Sequence, residues 1–243
     1  MKFHVSSYRH GFELLRTTGS AADELLSAVT TLSTASIDRL RLDRQSQVNA
    51  KAAASGGKAT RTGVQGSLNA ELHRLLTSED RGWQPQVPLF KADVGTGKGY
   101  WTMDFRKEFD SGVGVGVEVT FNHAEALPWT LIRPTLAYQS DDVLDGSRIE
   151  VGVIVIGTDH LKGSRSTPGG LRVDSAVGTY ERLLALLPRM KWVVQVPLTV
   201  IGLDWADGEM VGSPTPVNLH GPIKPDPLMV RLDEVSTDEA TNR

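Results

Sequence analysis

Residues 103–123 read MDFRKEFDSGVGVGVEVTFNH and carry the side chains of this chain best suited to chemistry. Asp104 stands before a glycine-rich turn, and the strand expected over residues 115–121 then presents Glu118 and Thr120. Side chains alternate faces along a strand, so Glu118 and Thr120 share one face while Val117, Val119 and Phe121 take the other. A carboxylate set among valines is costly to bury unless it meets a cation or a hydrogen-bond donor. Two carboxylates converging from adjacent hairpin strands make a hard-oxygen pocket suited to Mg²⁺, an ion that keeps several waters and takes phosphate oxygens as ligands. The chemistry indicated is phosphodiester cleavage. The plainer alternative makes Glu118 a surface residue of an edge strand.

The elements that must position these residues follow from hydrophobic spacing. Residues 2–6 alternate as a short strand, and Leu25, Leu26, Val29, Leu32, Ile37 and Leu40 recur at helical spacing from Ser20, a candidate N-cap, to about Arg44. Residues 45–66 are polar, glycine-rich and basic and read as a mobile loop before a second helix, SLNAELHRLL. Gly82-Trp83 ends that helix, and residues 84–90 are extended. A strand is expected over 100–105, a helix over about 124–139 strained at Pro134, and a nearly all-apolar strand over 148–156. A polar loop over 157–170, a helix over 174–187 and a last central strand over 192–203 complete the pattern. Hairpin, helix, strand, helix, strand gives an α/β fold with a central mixed β-sheet flanked by helices. The whole chain, 1–243, reads as one domain, with residues 225–243 a loose acidic tail.

Two glycine-rich stretches imitate nucleotide-binding motifs. VGTGKGY at 94–100 lacks the first glycine and the terminal Ser/Thr of a phosphate-binding loop and reads better as a hairpin turn. In GVGVGVEV at 112–119 the glycines alternate within a strand instead of opening a helix, which excludes a dinucleotide fingerprint.

Composition narrows the remaining classes. At 243 residues and 40% apolar the chain can bury a substantial core, and no apolar run is long enough to span a membrane. With no cysteine, disulfides, thiolate metal sites and cysteine nucleophiles are excluded, and a cytoplasmic protein is the default expectation. The net charge is −3, yet Arg39, Arg41, Arg44, Lys51, Lys58 and Arg61 crowd one region while the acids gather at 141–150 and in the tail. Such a basic stretch suits phosphate contacts, the alternative being a solvated helix face. His73 and His160 read as surface or structural residues without zinc-ligand spacing.

Several of these stretches together resemble the BglII/BstYI-like type II restriction endonucleases of the PD-(D/E)xK nuclease superfamily. The opening MKFHVSSYRH, GSLNAELHRLL with Gly82-Trp83, MDF followed by EVTF, and VPLTVIGL match that family in order and spacing. The resemblance implies a restriction-endonuclease-like core and a prokaryotic enzyme. It would cut double-stranded DNA at a short palindrome, as a homodimer with Mg²⁺, for which Mn²⁺ would substitute. It casts Asp104 and Glu118 as metal ligands, with the Val119 carbonyl as a third. Thr120 stands where the family has glutamine and the wider superfamily lysine, and Gln86 stands at an active-site asparagine position. For DNA it implies base contacts from Asn122 and His123, a contact from Arg133, and a reading loop at Lys162, Ser164, Arg165, Ser166 and Thr167, whose residues differ from the family's.

The threonine is a departure, because a neutral hydroxyl is neither a charged stabiliser nor an effective base at neutral pH. Either the ion activates the water alone, or Gln86 or Glu108 assists, or the protein binds DNA without cutting it. A third class, a nucleotide-binding enzyme using GTGKG, stands apart from the resemblance.

Overall fold

The protein is represented by a computed structural model, which describes residues 1–57, 65–90, 101–121, 124–139, 148–163, 178–205 and 229–232. Its strands are β1 (Lys2–Tyr8), β2 (Gln84–Pro88), β3 (Thr102–Glu108), β4 (Gly114–Thr120), β5 (Val151–Gly157), β6 (Leu198–Asp204) and β7 (Met229–Leu232). Its helices are α1 (Gly11–Thr17), α2 (Ala21–Thr31), α3 (Thr34–Ser55), α4 (Gln65–Leu76), α5 (Leu127–Gln139), α6 (Asp159–Gly163) and α7 (Tyr180–Leu186).

The strands form a mixed sheet in the order β2-β3-β4-β5-β6-β1-β7. β4, β5 and β6 run parallel, and antiparallel pairs lie on both sides of them. Every residue of β5 is buried, as a continuous VGVIVIG run with parallel neighbours on both edges requires. Its alternation feeds two cores. Val151, Val153 and Val155 pack with Leu25, Val29, Leu68 and Leu72 of α2 and α4, whereas Ile154 and Ile156 pack with Leu131 of α5 and Leu183 of α7. Helices therefore cover both faces, as expected from the sequence.

The glycines of GVGVGVEV have a packing reason. A Cβ on Gly116 would collide with Met103 Sδ, and one on Gly114 with the Arg148 carbonyl. Bare backbone here lets β4 sit close beneath its neighbours.

Five expectations are corrected. The single helix over 20–44 is two, because the spacing slips from threes and fours to five between Leu32 and Ile37. The chain turns extended at Leu32 and Ser33, and the Ser33 side chain accepts the Ser36 N–H to cap α3. The loop expected over 45–66 is helical as far as Ser55, where Gly56 (φ 65°) stops it; alanines at 50 and 52–54 outweigh the polar composition. Within the polar loop expected over 157–170, Asp159–Gly163 form α6. The last central strand begins at Leu198 rather than 192, and Trp192 is 82% exposed. The stretch 91–100 with its GTGKG, and residues 174–177 of the helix expected over 174–187, lie outside the described residues; of the rest, α7 begins only at Tyr180, capped by the Thr179 side chain.

Candidate active site

The β3–β4 hairpin brings Asp104 and Glu118 together. Phe105 pairs with Val117, so the next step along the antiparallel register sets Asp104 opposite Glu118 on one face of the sheet. β4 is an interior strand between β3 and β5, which excludes the edge-strand reading of Glu118. Glu118 is only 1% exposed and Thr120 5%.

Each carboxylate has distinct partners. Asp104 Oδ2 accepts the Val119 N–H at 2.8 Å, and its Oδ1 accepts the Gln86 side-chain amide at 3.2 Å. Glu118 Oε2 accepts Arg133 Nη1 at 2.9 Å, from α5 lying across that face of the sheet. Glu118 Oε1 is buried and accepts no hydrogen bond. Burial raises both carboxyls above their ordinary range. For Glu118 the result is about 8, desolvation being reinforced by the charge of Asp104 and opposed by Arg133. For Asp104 the rise from desolvation is opposed by the Val119 N–H, Arg133 and Gln86.

Gln86 reaches Asp104 through an unusual backbone. It stands across from Asp104 between the paired residues Pro85 and Val87, and its φ is 51°. A left-handed glutamine is a local strain that persists only where its surroundings hold it. Here its amide donates to Asp104 and its side-chain oxygen accepts the Thr102 hydroxyl at 3.3 Å.

These groups line a cavity of about 420 Å³, bounded by α4 and α5 and shared by Asn69, His73, Thr120, Trp129 and Arg133. The cavity fits a hard divalent cation. A cation would reverse the desolvation that disfavours ionisation of the two carboxyls and would give Glu118 Oε1 the partner it lacks. Among the described residues no third carboxylate, histidine or cysteine is close enough to form a three-ligand metal group with them, so further ligands would be carbonyl, phosphate or water oxygens, the set Mg²⁺ favours.

The other expected residues are placed unevenly. Glu108 sits at the turn end of the hairpin, paired with Arg106 at 3.0 Å, and it does not line the cavity. Lys51 is exposed on α3. Asn122, His123, Lys58, Arg61, Ser164, Arg165, Ser166 and Thr167 lie outside the described residues, as does the Lys162 side chain. Two cavity residues carried no site role in the sequence reading: Asn69 was not singled out, and His73 was read as surface or structural. Asn69 and His73 stand one turn apart on α4 and both face the cavity; that i, i+4 spacing was the available signal.

A scan against protein-family models matches residues 3–203 to the family described as restriction endonuclease BglII/BglIII. No curated protein matches the chain. Among solved structures, the chain is similar to the crystal structure of restriction endonuclease BglII complexed with a DNA 16-mer. The TM-score is 0.58 at 17% identity, over 86% of this chain and 81% of that one. Crystal structure of free BglII is also similar, with a TM-score of 0.48 at 14% identity over 86% and 82% of the two chains. At this identity the likeness speaks to the fold.

Proposed function

The chain belongs to the restriction endonuclease BglII/BglIII family and is by that membership a site-specific deoxyribonuclease, and we propose that it hydrolyses double-stranded DNA at a short palindrome with Mg²⁺. The single observation that carries the metal chemistry is the pair of buried, facing carboxylates, Asp104 and Glu118, one with an unpartnered oxygen. Two copies of the chain, each cutting one strand, match the twofold symmetry of a palindrome. That the related BglII structure holds a DNA 16-mer supports duplex DNA as the substrate here.

In this reading Asp104 and Glu118 hold the cation, with Mn²⁺ a substitute for Mg²⁺, and the Val119 carbonyl completes the protein ligands. A divalent ion there polarises a phosphate oxygen and lowers the pKa of water. The Val119 N–H and Gln86 orient the Asp104 carboxylate, and Arg133 orients that of Glu118. Arg133 uses one of its five donors on Glu118, which leaves others for a DNA phosphate. Lys51 with Lys58 and Arg61 would contact flanking phosphates. Lys162, near the end of α6, would contact a phosphate, and Asn122, His123, Ser164, Arg165, Ser166 and Thr167 would read bases.

A second reading, a weakened or inactive nuclease that binds DNA on the same fold, is favoured by one observation. Thr120, buried on the catalytic face, brings no charge where the superfamily has lysine. Digestion of a sequenced phage genome with Mg²⁺, followed by end mapping, separates the two. Discrete fragments with a common end sequence support cleavage, and intact DNA at saturating protein supports the inactive reading.

A further inference from the structure

The described lining of the cavity contains one ionisable side chain that the roles above do not use. His73 lines the same cavity as Asp104, Glu118 and Thr120, from the opposite helix to Arg133. Its ring rests edge-on against Phe105, with centroids 5.7 Å apart, and Phe105 directly follows Asp104. The imidazole, on the exposed side of α4, thereby lies beside β3.

The two ring nitrogens have different surroundings. The Thr77 hydroxyl donates to the His73 carbonyl at 2.8 Å and lies 3.5 Å from His73 Nδ1, a weak contact at most. Among the described residues Nε2 has no hydrogen-bond partner, which leaves it free to take up a proton.

Elimination points to the same residue. Asp104 and Glu118 are reserved for the cation, and an arginine stays charged. Threonine hydroxyls and the amides of Asn69 and Gln86 do not take up a proton near neutral pH, whereas an imidazole does. Among the described residues the cavity therefore offers no other protein base.

We propose that His73 is a catalytic residue of the cleavage reaction, accepting a proton from the attacking water at Nε2, directly or through one further water. The inference rests on the nuclease reading above. In this step the water oxygen forms its bond to phosphorus while one of its O–H bonds breaks and the proton passes to Nε2. The P–O bond to the leaving sugar oxygen breaks, that oxygen takes a proton from solvent, and His73 returns its own proton to solvent. Asp104 on β3, Glu118 on β4 and Arg133 on α5 share the cavity with the imidazole, while Arg74 and Glu71 on its own helix pair with each other at 2.9 Å.

The test compares wild type, His73→Ala, His73→Gln and His123→Gln on a sequenced plasmid with Mg²⁺ across neutral pH. Both His73 variants are expected to lose about 100-fold in kcat, to keep their affinity for DNA, and to lose the acid limb of the pH profile. Added imidazole should restore part of the rate to His73→Ala, which a merely structural role would not allow. Without turnover, the His73 proton resonance, assigned by its loss in His73→Gln, should shift when a duplex carrying the mapped site binds in the absence of metal. If wild type cleaves and the His73 variants match its rate and profile, or if His123→Gln alone removes the limb, the inference is overturned while the nuclease reading stands. If wild type itself does not cleave, that reading fails and the inference with it.

Discussion

Arg133 Nη1 lies 2.9 Å from Glu118 Oε2, while Oε1 of the same buried carboxylate has no hydrogen-bond partner among the described residues. The arginine comes from α5 and the glutamate from β4, so helix and sheet meet at the proposed catalytic ligand. One cation steadies half of the carboxylate, and the other half is the oxygen proposed to meet a metal ion. Without metal the balance favours the neutral acid, because desolvation and the Asp104 charge outweigh Arg133.

This balance has a defined sign in stability. The unfolded chain releases the Glu118 proton near 4.5, but the folded one holds it to about 8. Between those values the unfolded state binds fewer protons, so metal-free stability falls as pH rises through that window. Glu118→Gln keeps an acceptor for Arg133 and cannot ionise. Denaturant melts in EDTA should show the variant more stable than wild type at the top of the window, with no such gain at its bottom. Added Mg²⁺ should stabilise wild type alone. Parallel curves at both ends would remove Glu118 from its assigned role.

Asp104→Ala and Glu118→Ala should each reduce plasmid cleavage at least about a thousandfold, roughly 4 kcal/mol in the barrier. Binding without metal should survive or tighten, since a negative charge beside phosphate is gone. Cleavage near the wild-type rate by either variant would show that the metal site lies elsewhere.

Thr120→Ala should matter less. A neutral hydrogen bond is worth on the order of 1 kcal/mol, roughly five- to tenfold in rate. Single-turnover cleavage measures it, and a loss equal to that of Glu118→Ala would assign the threonine a role beyond a hydrogen bond.

Among residues 162–167, Arg165 carries the planar guanidinium suited to bidentate pairing with a guanine edge. Arg165→Ala should cost about 1–3 kcal/mol at the mapped site and much less on random DNA. Equal losses on both, in competition binding, would make it a backbone contact.

Gly114→Ala should be the worse of the two β4 glycine substitutions. Its Cβ meets the Arg148 carbonyl, which is backbone, whereas that of Gly116 meets the end of the Met103 side chain. Overpacking of this kind costs about 1–3 kcal/mol. Thermal melts that rank Gly116→Ala below Gly114→Ala would show that Met103 cannot give way.

The sequence by itself determined the layered fold and the shared face of Asp104 and Glu118, because both rest on which way strand side chains turn. A continuous apolar run such as VGVIVIG is tolerated in water only when both faces are covered, and a polar residue breaking such alternation, as Glu118 does, declares a site. The break between α2 and α3 was written in the five-residue step from Leu32 to Ile37. The helical reach of α3 was hidden, because only Ile37 of its residues is buried and so no apolar stripe marks it. What only the tertiary structure decided lies across sequence gaps. His73 and Glu118 are 45 positions apart and share a cavity because α4 and the hairpin pack at one end of the sheet. Arg133 holds Glu118 rather than standing free, because α5 crosses the face to which β4 turns that carboxylate. Gln86 meets Asp104 through a backbone angle that composition does not announce. Hydrophobic periodicity records which face a residue occupies; which other residue waits there is set by how helices dock on that face.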